Sequence, residues 1–212
     1  MKQRIQVQLV DDHVVVRAGF RRLLEDMADI DVVAESDSAE DCLLDYRRTH
    51  PDVVVLDIFM PGMGGMDAIR RLLAIDSKVK ILILSFYDAW VIPTRALKAG
   101  AKGYLSKRSA PDQLIDAVRR VAAGQSYIEP RIAQSMAEQS IFGDQEPIER
   151  LTSREFEVFQ LLANGERVSE IADKLHLSLK TVGTHRTRIM KKLQASTLAD
   201  LGRLASHYSL IS

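Results

Sequence analysis

At 212 residues the chain exceeds the commonest size of a single domain and fits one ordinary domain plus one small one. Hydrophobic residues at 46% and charged residues at 27% are typical of a globular chain able to bury a core, which excludes a disordered one. Net charge is zero. The early acids fit neither a secretion signal nor a membrane span, and the one cysteine, Cys42, excludes an internal disulfide, so a reducing cytoplasm fits best and no membrane partner is expected.

Over residues 1–124, short β-branched apolar runs alternate with amphipathic stretches. Strands are expected at Ile5–Val10, Asp31–Ala34, Val53–Leu56, Ile81–Leu84 and Gly103–Leu105. Helices are expected at Val14–Asp26, Ala39–Arg48, Met66–Ile75, Thr94–Ala99 and Asp112–Ala123. The third and fourth runs are almost wholly apolar, as strands covered on both faces are, so the fold class is an α/β doubly wound sheet of five parallel strands. Gly100 and Gly124 close the last two helices, and Pro111 opens the fifth. Pro93, where the fourth helix should begin, predicts a late start or a distortion.

Residues 125–150 lose the alternation, gather Pro130, Gly143 and Pro147 around a short helical segment at Ile132–Gln139, and read as a linker. Residues 151–212 carry nine basic against six acidic side chains and form four helical stretches, Arg154–Asn164, Val168–Leu175, Leu179–Leu193 and Leu198–Tyr208. Thr152 with Glu155 predicts a capping box on the first, and Ser178 caps the third. Between Lys180 and Lys192 there are five basic residues and no acid. Such a run describes a solvated helix face as readily as a phosphate-facing one.

Asp11 and Asp12 follow the first strand, Asp57 the third, Ser85 the fourth and Lys107 the fifth. In a parallel sheet these positions share the carboxyl edge, where open α/β folds bind ligands. Clustered carboxylates repel one another and attract a hard divalent cation, for which Mg2+ is the expected cofactor. Asp57 beside it is an oxygen nucleophile able to accept a phosphoryl group, with Lys107 neutralising the developing charge and Ser85 hydrogen-bonding the product.

The segments LVDDH, VVVLDIFMPGMGG, ILILSFYD and ALKAGAKGYLSK resemble the receiver domain of two-component response regulators over almost all of residues 4–124. The resemblance implies a flavodoxin-like fold with Asp57 as phosphoacceptor, Asp11, Asp12 and the Phe59 carbonyl as further metal ligands, and Ser85 with Tyr104 as a coupled switch pair. Arg108 departs from the pattern, since many receivers have proline directly after the lysine. The segment from Leu151 to Leu193 resembles the LuxR-type helix-turn-helix of the NarL/FixJ class. That implies an all-α four-helix domain over 151–212, with Val168–Leu175 as scaffold helix and Leu179–Leu193 as recognition helix in the major groove.

Ser169, Lys180, Thr181, Thr184, Arg186, Thr187 and Arg188 are then the expected DNA-facing residues, the cations gripping phosphate more than reading bases. Gly183 stands where some relatives project a base-reading side chain. His185 alone is no metal site and is expected to pack against the domain body. Leu198, Leu201, Leu204 and Ala205 form a stripe that serves the core, a dimer contact, or both.

The expected function is a phosphorylation-activated transcription regulator. Its partners are double-stranded DNA, a sensor histidine kinase or phosphotransfer domain, RNA polymerase as a further candidate, and a second copy when phosphorylated. It is not an enzyme beyond chemistry at its own aspartate. The competing readings are a phosphate sink or protein-docking module, a small hydrolase of the phosphatase kind, and a quorum-type regulator with a ligand cavity. The acid-free basic helix counts against the first, the lack of further catalytic groups against the second, and the receiver acids of the N-terminal half, standing where a ligand cavity would be needed, against the third.

Overall fold

The computed structural model describes residues 4–109, 111–142, 146–208 and 210. Strands β1 (Ile5–Val10), β2 (Ile30–Ser36), β3 (Val53–Leu56), β4 (Ile81–Ser85), β5 (Gly103–Ser106) and β6 (Tyr127–Ile128) alternate with helices α1 (Val14–Glu25), α2 (Ala39–Thr49), α3 (Gly65–Ile75), α4 (Val91–Ala99) and α5 (Pro111–Ala122). Every strand pairing is parallel, in the order β2-β1-β3-β4-β5-β6. The sheet therefore has six strands where five were expected. The extra one lies at the start of the expected linker, where Tyr127 and Ile128 pair with Gly103 and Tyr104.

Strand order reverses at β1, which pairs with both β2 and β3 and so opens a crevice beyond their carboxyl ends. All of β3 and β4 is buried. Alternate residues Val7, Leu9, Val53, Val55, Leu82 and Leu84 form one core layer with Leu24 of α1 and Leu114, Val118 and Val121 of α5. The opposite face includes Gln8, whose amide Nε2 donates to Ser36 Oγ at 3.0 Å and to the Cys42 carbonyl of α2 at 3.1 Å. These two bonds satisfy the buried amide nitrogen.

Gly100 and Gly124, at φ +115° and +81°, supply the left-handed turns that end α4 and α5. Pro93 neither delays nor breaks α4. The helix begins at Val91, so the proline occupies its first turn, where no intrahelical partner for an N–H exists in any case.

Residues Met1–Asp88 and Ile92–Ala133 make up one compact unit, and Gln134–Ser212 belong to a second. Helix α6 (Pro130–Phe142) and a 3-10 turn (Pro147–Arg150) precede the four helices of the second: α7 (Ser153–Ala163), α8 (Val168–Lys174), α9 (Leu179–Leu193) and α10 (Leu198–His207). The Thr152 capping box is present, with the Thr152 N–H donating to Glu155 Oε2 at 2.8 Å and the Glu155 N–H to Thr152 Oγ1 at 3.3 Å. Ser178 Oγ caps α9 by accepting from the Thr181 N–H at 3.0 Å. Ile171, Ala172, Leu175, Val182, Ile189 and Leu193 are buried together with Leu201 and Ala205, while Leu177 is half-buried. Of the stripe on α10, Leu198 is left exposed and Leu204 half-buried.

Candidate functional site

Asp11 directly follows β1 and Asp57 directly follows β3. Their chain positions are fixed by sheet-type hydrogen bonds, from the Asp11 N–H to the Ser36 carbonyl and from the Asp57 N–H to the Val10 carbonyl. Each carboxylate is held by one oxygen on a local amide. Asp11 Oδ1 accepts from the His13 N–H at 2.9 Å, and Asp57 Oδ1 from the Phe59 N–H at 3.3 Å. Each second oxygen meets Lys107, whose Nζ lies 2.6 Å from Asp11 Oδ2 and 2.7 Å from Asp57 Oδ2. Lys107 extends from the end of β5, where its N–H donates to the Ser85 carbonyl at 2.8 Å, and its ammonium also sits 5.1 Å from the centre of the Phe86 ring.

The loop after Asp57 leaves no room for a side chain at Gly65. A Cβ there would lie 2.5 Å from Ile58 Cα and 2.8 Å from the Asp57 carbonyl oxygen. The glycine lets the start of α3 close directly against the backbone of Asp57 and Ile58.

Ligand atoms of Asp11, Asp12, His13 and Asp57 all lie within 4.8 Å of one another. One ammonium serves both the Asp11 and Asp57 carboxylates, which are nearly inaccessible to water, and the Asp12 carboxylate lies in the same cluster. Burial raises the Asp57 pKa and the Asp11 charge adds to that, while Lys107 and the Phe59 amide oppose it. An Asp12 oxygen is buried without a hydrogen bond, although the His13 ring nitrogen approaches it at 2.8 Å. Clustered carboxylate oxygens, hard donors that repel one another, fit a hard divalent cation.

Ser85 is wholly buried, and its Oγ accepts from the Tyr87 N–H at 3.4 Å. The Tyr104 ring is also wholly buried; its hydroxyl donates to the Tyr87 carbonyl, and burial pushes its phenol pKa up, a shift that neighbouring Ser85 opposes. Both members of the expected switch pair thus lie inside the fold, linked through the Tyr87 backbone, whose N–H donates to Ser85 and whose carbonyl accepts from Tyr104. Phe59 and Tyr87 are half-buried, each two residues beyond a pocket side chain.

Two neighbours of the pocket were given no role from sequence. His13 contacts Asp11 and Asp12, and the Arg17 guanidinium donates to the Asp11 carbonyl while its Nε lies 3.5 Å from Glu35. The signal available was position: His13 adjoins the acid pair and Arg17 is one helical turn further on.

In the helical unit, Ser169, Lys180, Thr184, Arg186, Thr187 and Arg188 are exposed and Thr181 is half-buried. Thr184 and Thr187 hydroxyls donate to the carbonyls of Lys180 and Gly183, one turn earlier. His185 is half-buried, and burial lowers its imidazole pKa, so it favours the neutral form. It belongs to no cluster of metal-ligating side chains among the described residues.

A doubly wound sheet with this carboxylate pocket, followed by a helix-turn-helix, defines a response regulator. Residues 7–119 match the response regulator receiver domain family, residues 149–205 match the bacterial regulatory proteins of the luxR family, and the chain belongs to the response regulators that combine the two. It is 40% identical over 209 residues to the response regulator GacA of Pseudomonas aeruginosa, with 98% of each chain covered. It is also 40% identical over 208 residues to the response regulator UvrY of Escherichia coli, covering 97% of this chain and 95% of that one.

Among solved structures it resembles a LuxR-family two-component response regulator from an Aurantimonas species, with 39% identity, a TM-score of 0.64, and coverage of 66% of this chain and 99% of that one. It also resembles RcsB of Salmonella enterica serovar Typhimurium bound to the promoter rprA in the presence of phosphomimetic BeF3-, with 26% identity, a TM-score of 0.71, and coverage of 94% and 96%. No helix among the described residues is long and apolar enough to cross a membrane.

Proposed function

We propose that the protein is a cytoplasmic transcription regulator that accepts a phosphoryl group on Asp57 from a sensor histidine kinase or phosphotransfer domain and then binds DNA as a dimer. The observation that carries this reading is the Lys107 ammonium held between the Asp11 and Asp57 carboxylates, in one chain with an exposed basic helix. Asp57 Oδ attacks phosphorus, the bond from phosphorus to the donor's leaving group breaks, and an acyl phosphate forms. Lys107 transfers its hydrogen bonds from carboxylate to phosphoryl oxygen as charge builds there. Mg2+ held by Asp11, Asp12, Asp57 and the Phe59 carbonyl would supply further charge neutralisation to the phosphoryl oxygens. Ser85 donates to a phosphoryl oxygen, and Tyr104, linked to it through the Tyr87 backbone, carries the change outward. The chemistry begins and ends on the protein's own aspartate, with no turnover of an external substrate.

For DNA, Lys180, Arg186 and Arg188 neutralise phosphates, while Thr181, Thr184 and Thr187 present hydroxyls from the same helix, with Ser169 at the start of α8. Exposed Leu198 supplies an apolar contact for a second copy. RNA polymerase is the further partner this activity calls for. Acetyl phosphate with Mg2+ should add one phosphoryl group to the wild type and none to Asp57→Ala. An electrophoretic shift titration over salt should then show Lys180→Ala and Arg186→Ala each flattening the salt slope by about one unit. Equal labelling of both proteins, or unchanged slopes, would overturn the corresponding half of the reading.

A further inference from the structure

Lys107 is the second residue of a four-residue turn, Ser106 to Ser109, closed by the Ser109 N–H donating to the Ser106 carbonyl at 3.0 Å. Inside the turn, the Arg108 N–H donates to Ser106 Oγ at 3.2 Å. Both ends of this turn are gripped by a residue twenty positions away. Glu129 Oε2 accepts from the Ser106 N–H at 3.0 Å and from the Ser109 hydroxyl at 2.6 Å.

Glu129 is itself fixed from two sides. Its N–H donates to the Tyr104 carbonyl of β5 at 3.1 Å, and its own carbonyl accepts from the Ala133 N–H at 2.9 Å, so it stands at the entry to α6. A polar side chain at a helix entry ordinarily bonds its own helix's free amides. This carboxylate instead turns back to the neighbouring strand end. Hydrogen bonds to an ionised acceptor are roughly twice as strong as neutral ones, so the clamp is a firm one.

We propose that Glu129 is a positioning residue for Lys107, fixing the turn so that the ammonium is aimed at the phosphoryl-accepting oxygen of Asp57. The inference rests on the reading of Asp57 and Lys107 given above. It places a determinant of phosphorylation rate outside the pocket, in the segment that leaves the sheet toward the second unit. Displacing an ammonium by a fraction of an ångström costs rate because stabilisation of developing charge depends on a preset geometry.

The test is the initial rate of phosphorylation of the full-length protein by acetyl phosphate with Mg2+, with the melting temperature of each variant measured alongside. Glu129→Ala should slow phosphorylation about fivefold, and Ser109→Ala about twofold. Glu129→Gln keeps an acceptor oxygen and should recover most of the rate. In a Lys107→Ala background, Glu129→Ala should change the rate by less than about 1.5-fold, since a residue acting only through Lys107 has nothing left to position. A general loss of stability would slow both backgrounds alike. The proposal fails if Glu129→Ala phosphorylates at the wild-type rate, or if its effect is the same with and without Lys107. Failure of the underlying reading is separately visible, as labelling that persists in Asp57→Ala.

Discussion

The rings of Phe59 and Tyr87 meet with their centres 4.4 Å apart and their planes at 56°, although they come from different loops. The backbone amide of one donates to Asp57 and that of the other to Ser85, so the pair is built onto the pocket itself. Hydrolysis of a phosphoryl group on Asp57 needs water aligned opposite the aspartate oxygen, and the expectation is that packed rings beside it restrict that approach. Phe59→Asn and Tyr87→Ala should each speed phosphate loss roughly tenfold, about 1.4 kcal/mol of barrier. Because the rings pack on each other, the double variant should exceed either single by less than the product. Decay of purified phosphoprotein measures this; an unchanged rate in the double variant means that neither ring gates water.

Lys107 is the counter-charge for two buried carboxylates, and removing it strands them. Lys107→Met should lower stability by about 3 kcal/mol in metal-free buffer, as expected for a broken buried ion pair. Added Mg2+ should raise the melting temperature of this variant more than that of the wild type. Equal shifts in thermal melts would show that the cation binds away from these acids.

Asp57→Asn tests the same pocket through pH. The folded-state pKa of Asp57 lies above its ordinary value of 3.8, so the native state binds this proton more tightly than the unfolded state does. The wild type therefore loses stability relative to Asp57→Asn as pH rises from 3.8 through the raised value. Denaturant titrations of both proteins in metal-free buffer should show the variant's advantage growing across that window; a constant difference would show that Asp57 ionises as readily in the fold as in the unfolded chain.

Glu155 shows the opposite sign. Burial acts to raise its pKa, but Lys192 at 2.6 Å and the Thr152 hydrogen bonds outweigh it and hold the carboxyl below 4.5. Its stabilisation is complete above 4.5 and is lost as pH falls through the lower folded value. Glu155→Ala should destabilise the helical unit by about 2 kcal/mol at neutral pH, combining a lost cap with a lost charged hydrogen bond. The difference from wild type should shrink in acid melts. If it stays level, the ion pair contributes nothing.

Gly183 lies within α9, and a Cβ added there meets no atom within 4 Å. Gly183→Ala should therefore stabilise the protein by about 0.5–1 kcal/mol. Gly183→Lys should steepen the salt dependence of DNA binding by about one unit if this face lies on the duplex. Thermal melts and shift assays read the two effects independently.

The pocket was legible in the sequence because parallel strands place their ends on one edge, and Asp11, Asp57, Ser85 and Lys107 each stand at such an end. The range of α9, Leu179–Leu193, was equally readable, since Ser178 marks its start and apolar spacing carries it to Leu193. Tyr127–Ile128 was not legible, because two residues cannot display a period of two and their neighbours Gln125 and Ser126 read as loop. The role of Glu129 was hidden for another reason. Its partners are twenty or more residues away, and nothing local distinguishes a carboxylate that caps its own helix from one that reaches across a sheet. Pro93 misled in the expected way, since a proline marks either a helix's first turn or its end.

The short sixth strand also bears on how the protein avoids sticking to itself. An uncovered strand at a sheet margin offers free amides and carbonyls to any other chain, and nature blunts such margins with brief strands and prolines. Here Tyr127 and Glu129 donate to the carbonyls of Lys102 and Tyr104, and Pro130 ends the ladder at once. A receiver fragment cut after Gly124 would leave those carbonyls bare along β5 and invite strand-to-strand association, whereas one cut after Ala133 would keep its seam closed.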